Sequence, residues 1–301
     1  MWHEPITRYT LGVGAMFSLY WLCNRFIVSP LLEKGRLPKD KKYLVSTALL
    51  YLPGLGLLLL FIKDLPVFQV SPQGFGTADY IVVFMAQFFA FVLMVPFTIL
   101  EIKLGLVTSQ AWEQQQKEKS QGLNAVLLIL MVPLMEELLC RKLLGDILGN
   151  DQAGLFLCMS AIVFSLLHLQ TGRIAVAVGM LHTGFLWSWV YVSSGSLLLC
   201  TAYHILFNLL MTFIPEYMKK ITSEKANGIY TIVLSLIGTT GFVWMMSKSA
   251  HFWPPELLDM QNSWQRIFGN WGFWVLAAVC VGSYILGNRA MKEKSASPES
   301  S

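Results

Sequence analysis

Residues 131–144 read MVPLMEELLCRKLL. Two glutamates, an arginine and a lysine stand inside an apolar run that spans residues 123–148. An ionisable group at membrane depth is costly unless it is paired or faces water, so such placements mark ion pairs, proton paths or catalytic sites. Pro133 loosens the helix and predicts a break ahead of the charges. Beyond it Glu137 and Arg141 are four apart, hence on one helical face and within salt-bridge reach. Glu136 points about 100° away from Glu137. The division predicts that Arg141 neutralises Glu137 while Glu136 faces a cavity, where burial strengthens a carboxylate as a base. Taken alone, the motif also reads as a structural ion pair.

Two further apolar runs carry polar pairs at the same spacing. In AIVFSLLHLQTG (161–172), Phe164 and His168 are four apart, so the phenyl ring can pack beside the imidazole and hold it. In GSLLLCTAYHILFNLL (195–210), His204 and Asn208 are four apart and present ring nitrogens and an amide on one stripe. Such donors can stabilise a developing oxyanion. Each pair alone also reads as a core histidine or as polar glue between membrane helices. Together the three segments predict convergence on one wet spot inside the bilayer. Glu136, His168 and His204 are also donors that zinc accepts. The HExxH spacing is absent, so no local pattern dictates a metal. His182 is read as structural or substrate-lining, and His3 and His251 receive no role. Neither a GxSxG elbow nor a Ser-Lys arrangement is present.

The whole chain fits this picture. Of its 301 residues 55% are hydrophobic and 13% charged, with a mean hydropathy of +0.56. Soluble domains carry about 25% charged residues, so the composition predicts a polytopic membrane protein. Nine apolar runs are long enough to cross a bilayer: 10–28, 43–62, 80–102, 123–148, 152–170, 173–193, 196–214, 228–246 and 270–287. They are solid blocks without barrel-type alternation. Backbone groups in lipid must be bonded within the chain, so the expected fold is all-α, a transmembrane bundle of 8–9 spans around an internal polar cavity.

The organisation reads as N-terminal spans over 1–110, a core over 120–215, C-terminal spans over 216–290 and a disordered tail over 291–301. The first span is retained, since no small-residue cleavage site follows it. Residues 111–122 read as a polar surface loop or an amphipathic extension. Residues 251–270, rich in aromatics around Pro254-Pro255, read as interfacial. The densest basic loop, Lys34 to Lys42, is placed in the cytosol; alternating from there puts 15 Lys and Arg on that side against 6 on the other. The expected location is a bacterial cell membrane, with an endomembrane as the alternative. The five cysteines lie in or beside apolar runs and form no CxxC pair, so they read as small buried hydrophobes. No basic run interleaved with aromatics points to nucleic acid. A proton-coupled carrier or a peptide-binding scaffold would use the same buried polar groups, but no internal repeat of the kind carriers show is present.

The three motifs, in this order and at these separations, resemble those of the CPBP intramembrane endopeptidases, a family that includes the type II CAAX prenyl endopeptidases and the Abi relatives. The resemblance covers residues 120–215, including the Gly-Ser approach to the third motif. Cys140 and Lys142 depart from it: an aromatic and a small residue are usual there. The resemblance implies an all-helical fold with a water-filled conical cavity. It implies that Glu136 activates water with help from His168, and that His204 and Asn208 stabilise the oxyanion. Glu137, Arg141 and Phe164 would support them. It implies hydrolysis of a peptide bond in a membrane-associated substrate, prenylated or a leader peptide, within the lipid bilayer and without a resident cofactor.

Overall fold

The computed structural model describes residues 4–38, 41–68, 70, 74–106, 122–149, 152–221, 223–253 and 260–296. Every regular element among them is a helix. In chain order these are α1 (Pro5–Glu33), α2 (Lys42–Ile62), α3 (Thr77–Lys103), α4 (122–148), α5 (Ala153–His168), α6 (Ile174–Ser194), α7 (Leu197–Phe213), α8 (Ile214–Ile221), α9 (Glu224–Ser247), α10 (Ser249–Phe252), α11 (Met260–Phe268) and α12 (Trp271–Ala296). Six are long and apolar enough to cross a membrane: α1, α2, α3, α5, α6 and α9. The pair α11–α12, bent by 65°, makes a seventh if counted as one span. The bundle wears its apolar residues outward as well as inward; Leu52, Leu60, Ile232 and Leu236 are exposed. That is the surface lipid requires of a polytopic protein, as the composition predicts.

Nine runs exceed the helices that qualify. α7 is a shorter apolar helix, and α4 is not among the six. α4 alternates between windings: α over Gly122–Val126, π over Leu127–Met131, α over Val132–Glu137, π over Leu138–Leu143 and α over Leu144–Leu148. The break expected at Pro133 is therefore a π turn placed just ahead of the proline. Proline cannot donate to the carbonyl four residues back. Widening to the π pattern absorbs that defect without interrupting the helix.

The carbonyls of the π stretches are taken up from outside. In α4, Leu128 O accepts from Asn208 Nδ2 at 3.3 Å, Leu139 O from the Tyr9 hydroxyl at 2.9 Å and Cys140 O from Ser160 Oγ at 2.8 Å. In α7, whose last turn Leu209–Phe213 is π, Leu210 O accepts from the Tyr230 hydroxyl at 2.8 Å. Buried backbone groups must be paired, and here side chains of α1, α5, α7 and α9 do part of that work.

Short links between α4, α5, α6 and α7 make successive helices run in opposite directions. α5 and α7 therefore run toward the same end of the bundle, the end at which α6 begins. Glu101, near the close of α3, is clamped there by the first residues of α6. Arg173 Nε donates to Glu101 Oε2 at 2.7 Å, and the backbone N–H groups of Ile174 and Ala175 donate to Oε1. The carboxylate thus caps orphan amides at the start of α6 and neutralises a buried arginine at once.

The tail read as disordered from 291 is helical as far as Ala296; 297–301 lie outside the described residues, as does the loop 111–121. At the expected interfacial segment, Trp264 stacks on Phe268 at 5.6 Å and both are exposed, beside exposed Trp271 and Trp274. Residues 254–259 of that segment lie outside the described residues.

α9 crosses α3 at its interruption, residues 87–88. A Cβ at Gly238 would fall 2.3 Å from the Phe88 carbonyl carbon and the Phe89 nitrogen, both backbone. A Cβ at Gly228, on the same helix, would meet nothing within 4 Å among the described residues. Gly238→Ala is expected to lower stability by about 1–3 kcal/mol, the usual cost of overpacking. Gly228→Ala is expected to be neutral or to stabilise by about 0.5–1 kcal/mol, as alanine is the better helix former. Thermal unfolding in one detergent checks both; equal effects would show that the crossing is not as tight as drawn.

Candidate active site

Glu137 is the centre of the polar cluster and has no exposure to solvent. On one side Arg141 Nε lies 3.1 Å from its Oε2, and the Arg141 side chain is fully buried as well. On the other side His204 Nδ1 lies 2.9 Å from Oε1. A carboxylate only accepts, so Nδ1 of His204 carries the proton and donates. The i, i+4 pair read from the sequence is therefore formed, and Glu137 reaches across to a second helix as well.

Arg141 is held beyond Glu137. Its Nη2 donates to the Gly184 carbonyl at 3.2 Å. Its guanidinium lies 4.6 Å from the centre of the Phe164 ring and 5.6 Å from that of Trp187. A desolvated guanidinium over aromatic faces gains cation–π attraction. Gly184 allows the approach: a Cβ there would lie 3.1 Å from the Ala161 backbone and 3.2 Å from the Phe164 ring.

Glu136 is placed differently, as the 100° offset predicts. Its side chain is 14% exposed, against none for Glu137, and its Oε2 lies 3.5 Å from His204 Nε2. His204 thus stands between two carboxylates, one sealed and one partly exposed. Its imidazole lies 4.3 Å from the Trp187 ring at 32° and 5.6 Å from Phe164, edge to face.

His168 ends α5. Its Nδ1 donates to the Phe164 carbonyl one turn earlier at 2.8 Å, and its ring lies 4.5 Å from the Phe164 ring. Phe164 is therefore the common neighbour of His168, Arg141, Trp187 and His204. Asn208, one turn beyond His204, donates to Leu128 O on the π turn of α4. One amide hydrogen of Asn208 thus braces α4.

The structure brings Glu136, Glu137, Arg141, Phe164 and His204 into one contiguous cluster. It links His168 to that cluster through Phe164, and it ties Asn208 to the helix that carries the two glutamates. His204 Nδ1 bonds to Glu137 and His168 Nδ1 to its own helix, which leaves Nε2 of each ring for other partners. No group of three His, Cys, Asp or Glu side chains among the described residues has metal-binding geometry. His182 is bonded through Nε2 to the Ala86 carbonyl at 2.9 Å. It lines an apolar cavity of about 210 Å³ between α6 and α9 with Phe185, Phe242 and Met245. His251 pairs with Asp79 at 3.0 Å.

Trp187 and the Glu101–Arg173 clamp were missed from the sequence. Nothing local distinguishes Trp187 among ten tryptophans. Glu101 did carry a signal, an acid near the end of an apolar run, which calls for a cationic partner.

Comparison with known proteins agrees with the motif reading. The family model described as type II CAAX prenyl endopeptidase Rce1-like matches residues 119–210. Neither a curated protein nor a solved structure matches the chain.

Removing one member of a buried ion pair strands the other charge, at a cost of about 3–5 kcal/mol. Arg141→Met is expected to lose that much stability, measured by denaturant unfolding in micelles. The double variant Glu137→Gln with Arg141→Met is expected to recover part of the loss, because no unpaired charge remains. A double variant at least as unstable as Arg141→Met would refute the pairing.

Proposed function

We propose, from the premise that residues 119–210 belong to the type II CAAX prenyl endopeptidase Rce1-like family, that this chain is a glutamic intramembrane endopeptidase. The family is one of CAAX-type proteases, whose substrates are membrane-associated peptides. The observation that carries the finer reading is the asymmetry of the two glutamates. Glu137 is sealed and bonded to Arg141 and His204, while the Glu136 side chain is 14% exposed beside His204 Nε2.

In this reading Glu136 is the general base. Water attacks the carbonyl carbon of the scissile peptide while its proton passes to the Glu136 carboxylate. The C–N bond then breaks, the leaving nitrogen takes that proton from Glu136, and the hydroxyl stays on the new carboxyl group. His168 assists in holding the water. The oxyanion is met by the second amide hydrogen of Asn208 and by His204 Nε2 in its protonated form, with donors set in advance in a low-dielectric site. Glu137 orients His204 through Nδ1, as a carboxylate fixes an imidazole in other hydrolytic sites. The substrate we assign is a short peptide tail whose hydrocarbon modification keeps it in the bilayer, a prenylated C-terminus first among them. No metal enters the scheme.

The purified chain in nanodiscs is expected to cleave a farnesylated CAAX peptide carrying a fluorophore. Glu136→Gln keeps the shape of the side chain and removes the base, and general-base catalysis is typically worth 10²–10⁴-fold. A loss of about that size in kcat, with unchanged thermal unfolding, is the expected result. Full cleavage by Glu136→Gln would end the proposal.

A further inference from the structure

Gln87 lies where α3 is interrupted, between the stretches Thr77–Ala86 and Phe89–Lys103, and it is fully buried. Its Oε1 accepts from Trp187 Nε1 at 3.0 Å. Its Nε2 is buried with no partner among the described residues. An amide that leaves a buried donor unbonded is a poor choice for filling space, since the missing bond is a direct loss. A methionine or leucine would fill the same volume without that loss. The acceptor side of Gln87 is therefore what explains the residue.

That acceptor holds the one polar handle of Trp187. An indole packs by its faces and is steered by its N–H. Trp187 is fully buried, edge-on to Phe164 at 5.5 Å and to Phe207 at 5.6 Å, and it lies along the His204 imidazole. The bond from Glu137 to Nδ1 fixes one point of the His204 ring. The plane of the ring is set by the surface against which it lies, and that surface is Trp187. A turn of the indole would tilt the imidazole about the Glu137 bond and move Nε2 relative to Glu136.

We propose that Gln87 is a positioning residue for His204, acting through the indole of Trp187. This inference rests on the endopeptidase reading for its effect on turnover, but the mechanical link from Gln87 to His204 does not depend on it. It ties the interruption of α3, forty-nine positions before Glu136 in sequence, to the geometry of the site.

The test uses the full chain in nanodiscs with ¹⁵N-labelled histidine. Gln87→Met keeps the length of the side chain and removes the acceptor, leaving the indole in place; Gln87→Leu serves in its stead should the first fail to fold. The His204 ring nitrogen signals are expected to move, while those of His251, paired with Asp79, stay. On the farnesylated CAAX peptide kcat is expected to fall about tenfold or more, in line with the cost of small misplacements of a reacting group. KM is expected to change little, because substrate binding is not what the indole governs. In a Trp187→Phe background, which has no N–H to anchor, the Gln87 substitution is expected to have no further effect. Unmoved His204 signals in the Gln87 variant overturn the proposal, and so do losses that multiply in the double variant. The histidine signals are read without substrate. Full cleavage by Glu136→Gln would thus remove the catalytic reading alone, and unmoved His204 signals would remove the link alone.

Discussion

A carboxylate with no solvent and no lipid-facing escape must be neutralised where it stands. Glu137 is neutralised by Arg141 on its own helix and accepts a further hydrogen bond from His204 on α7. Each partner is then placed by further contacts that lipid cannot supply. Arg141 needs the Gly184 carbonyl and the Phe164 ring; His204 needs the face of Trp187. The positions of α4, α5, α6 and α7 relative to one another follow from this one burial. Buried ion pairs are not in themselves a source of stability, because desolvation offsets the attraction. What the cluster contributes is registry: slide α7 by one turn and His204 leaves Glu137, slide α6 and the Gly184 carbonyl leaves Arg141.

The π turns are the second constraint, and they follow from the first. A helix that carries Pro133, two glutamates and an arginine in nine positions cannot keep regular α geometry and also aim its side chains at three neighbours. Widening at Leu127–Met131 and Leu138–Leu143 rotates the intervening α stretch that bears Glu136 and Glu137. The carbonyls released by the widening are used, by Asn208, Tyr9 and Ser160. Asn208 thus braces α4 from α7.

The sequence was legible where chemistry and spacing coincide on one helix. Glu137 with Arg141, Phe164 with His168 and His204 with Asn208 each sit four apart, and a helix converts that spacing into shared direction. The offset of Glu136 from Glu137 followed from the same geometry. Contacts between helices were not legible. Glu101 and Arg173 are seventy-two positions apart, and Gln87 and Trp187 a hundred. No local periodicity encodes such a meeting. The π winding was hidden for another reason: proline predicts that a hydrogen bond is lost, but not whether the helix breaks or widens to absorb the loss. The span count failed to settle because composition alone does not separate a helix that crosses from one that is short or bent.

The depth of the cluster follows from the same helix directions. α5 and α7 run toward the end where α6 begins, and each carries its second motif residue four positions after its first. At 1.5 Å per residue His168 and Asn208 lie about 6 Å nearer that end than Phe164 and His204. The site is therefore two-tiered. The inner tier is Glu137, Arg141, Phe164, His204 and Trp187, closed to solvent or nearly so. The outer tier is His168 and Asn208, both partly exposed. Arg173 and Lys103 stand at the same end, and the charge asymmetry of the loops reads it as cytosolic. A glutamate in the middle of α4 and a histidine at the end of α5 thus join one cluster through Phe164 although they lie at different depths.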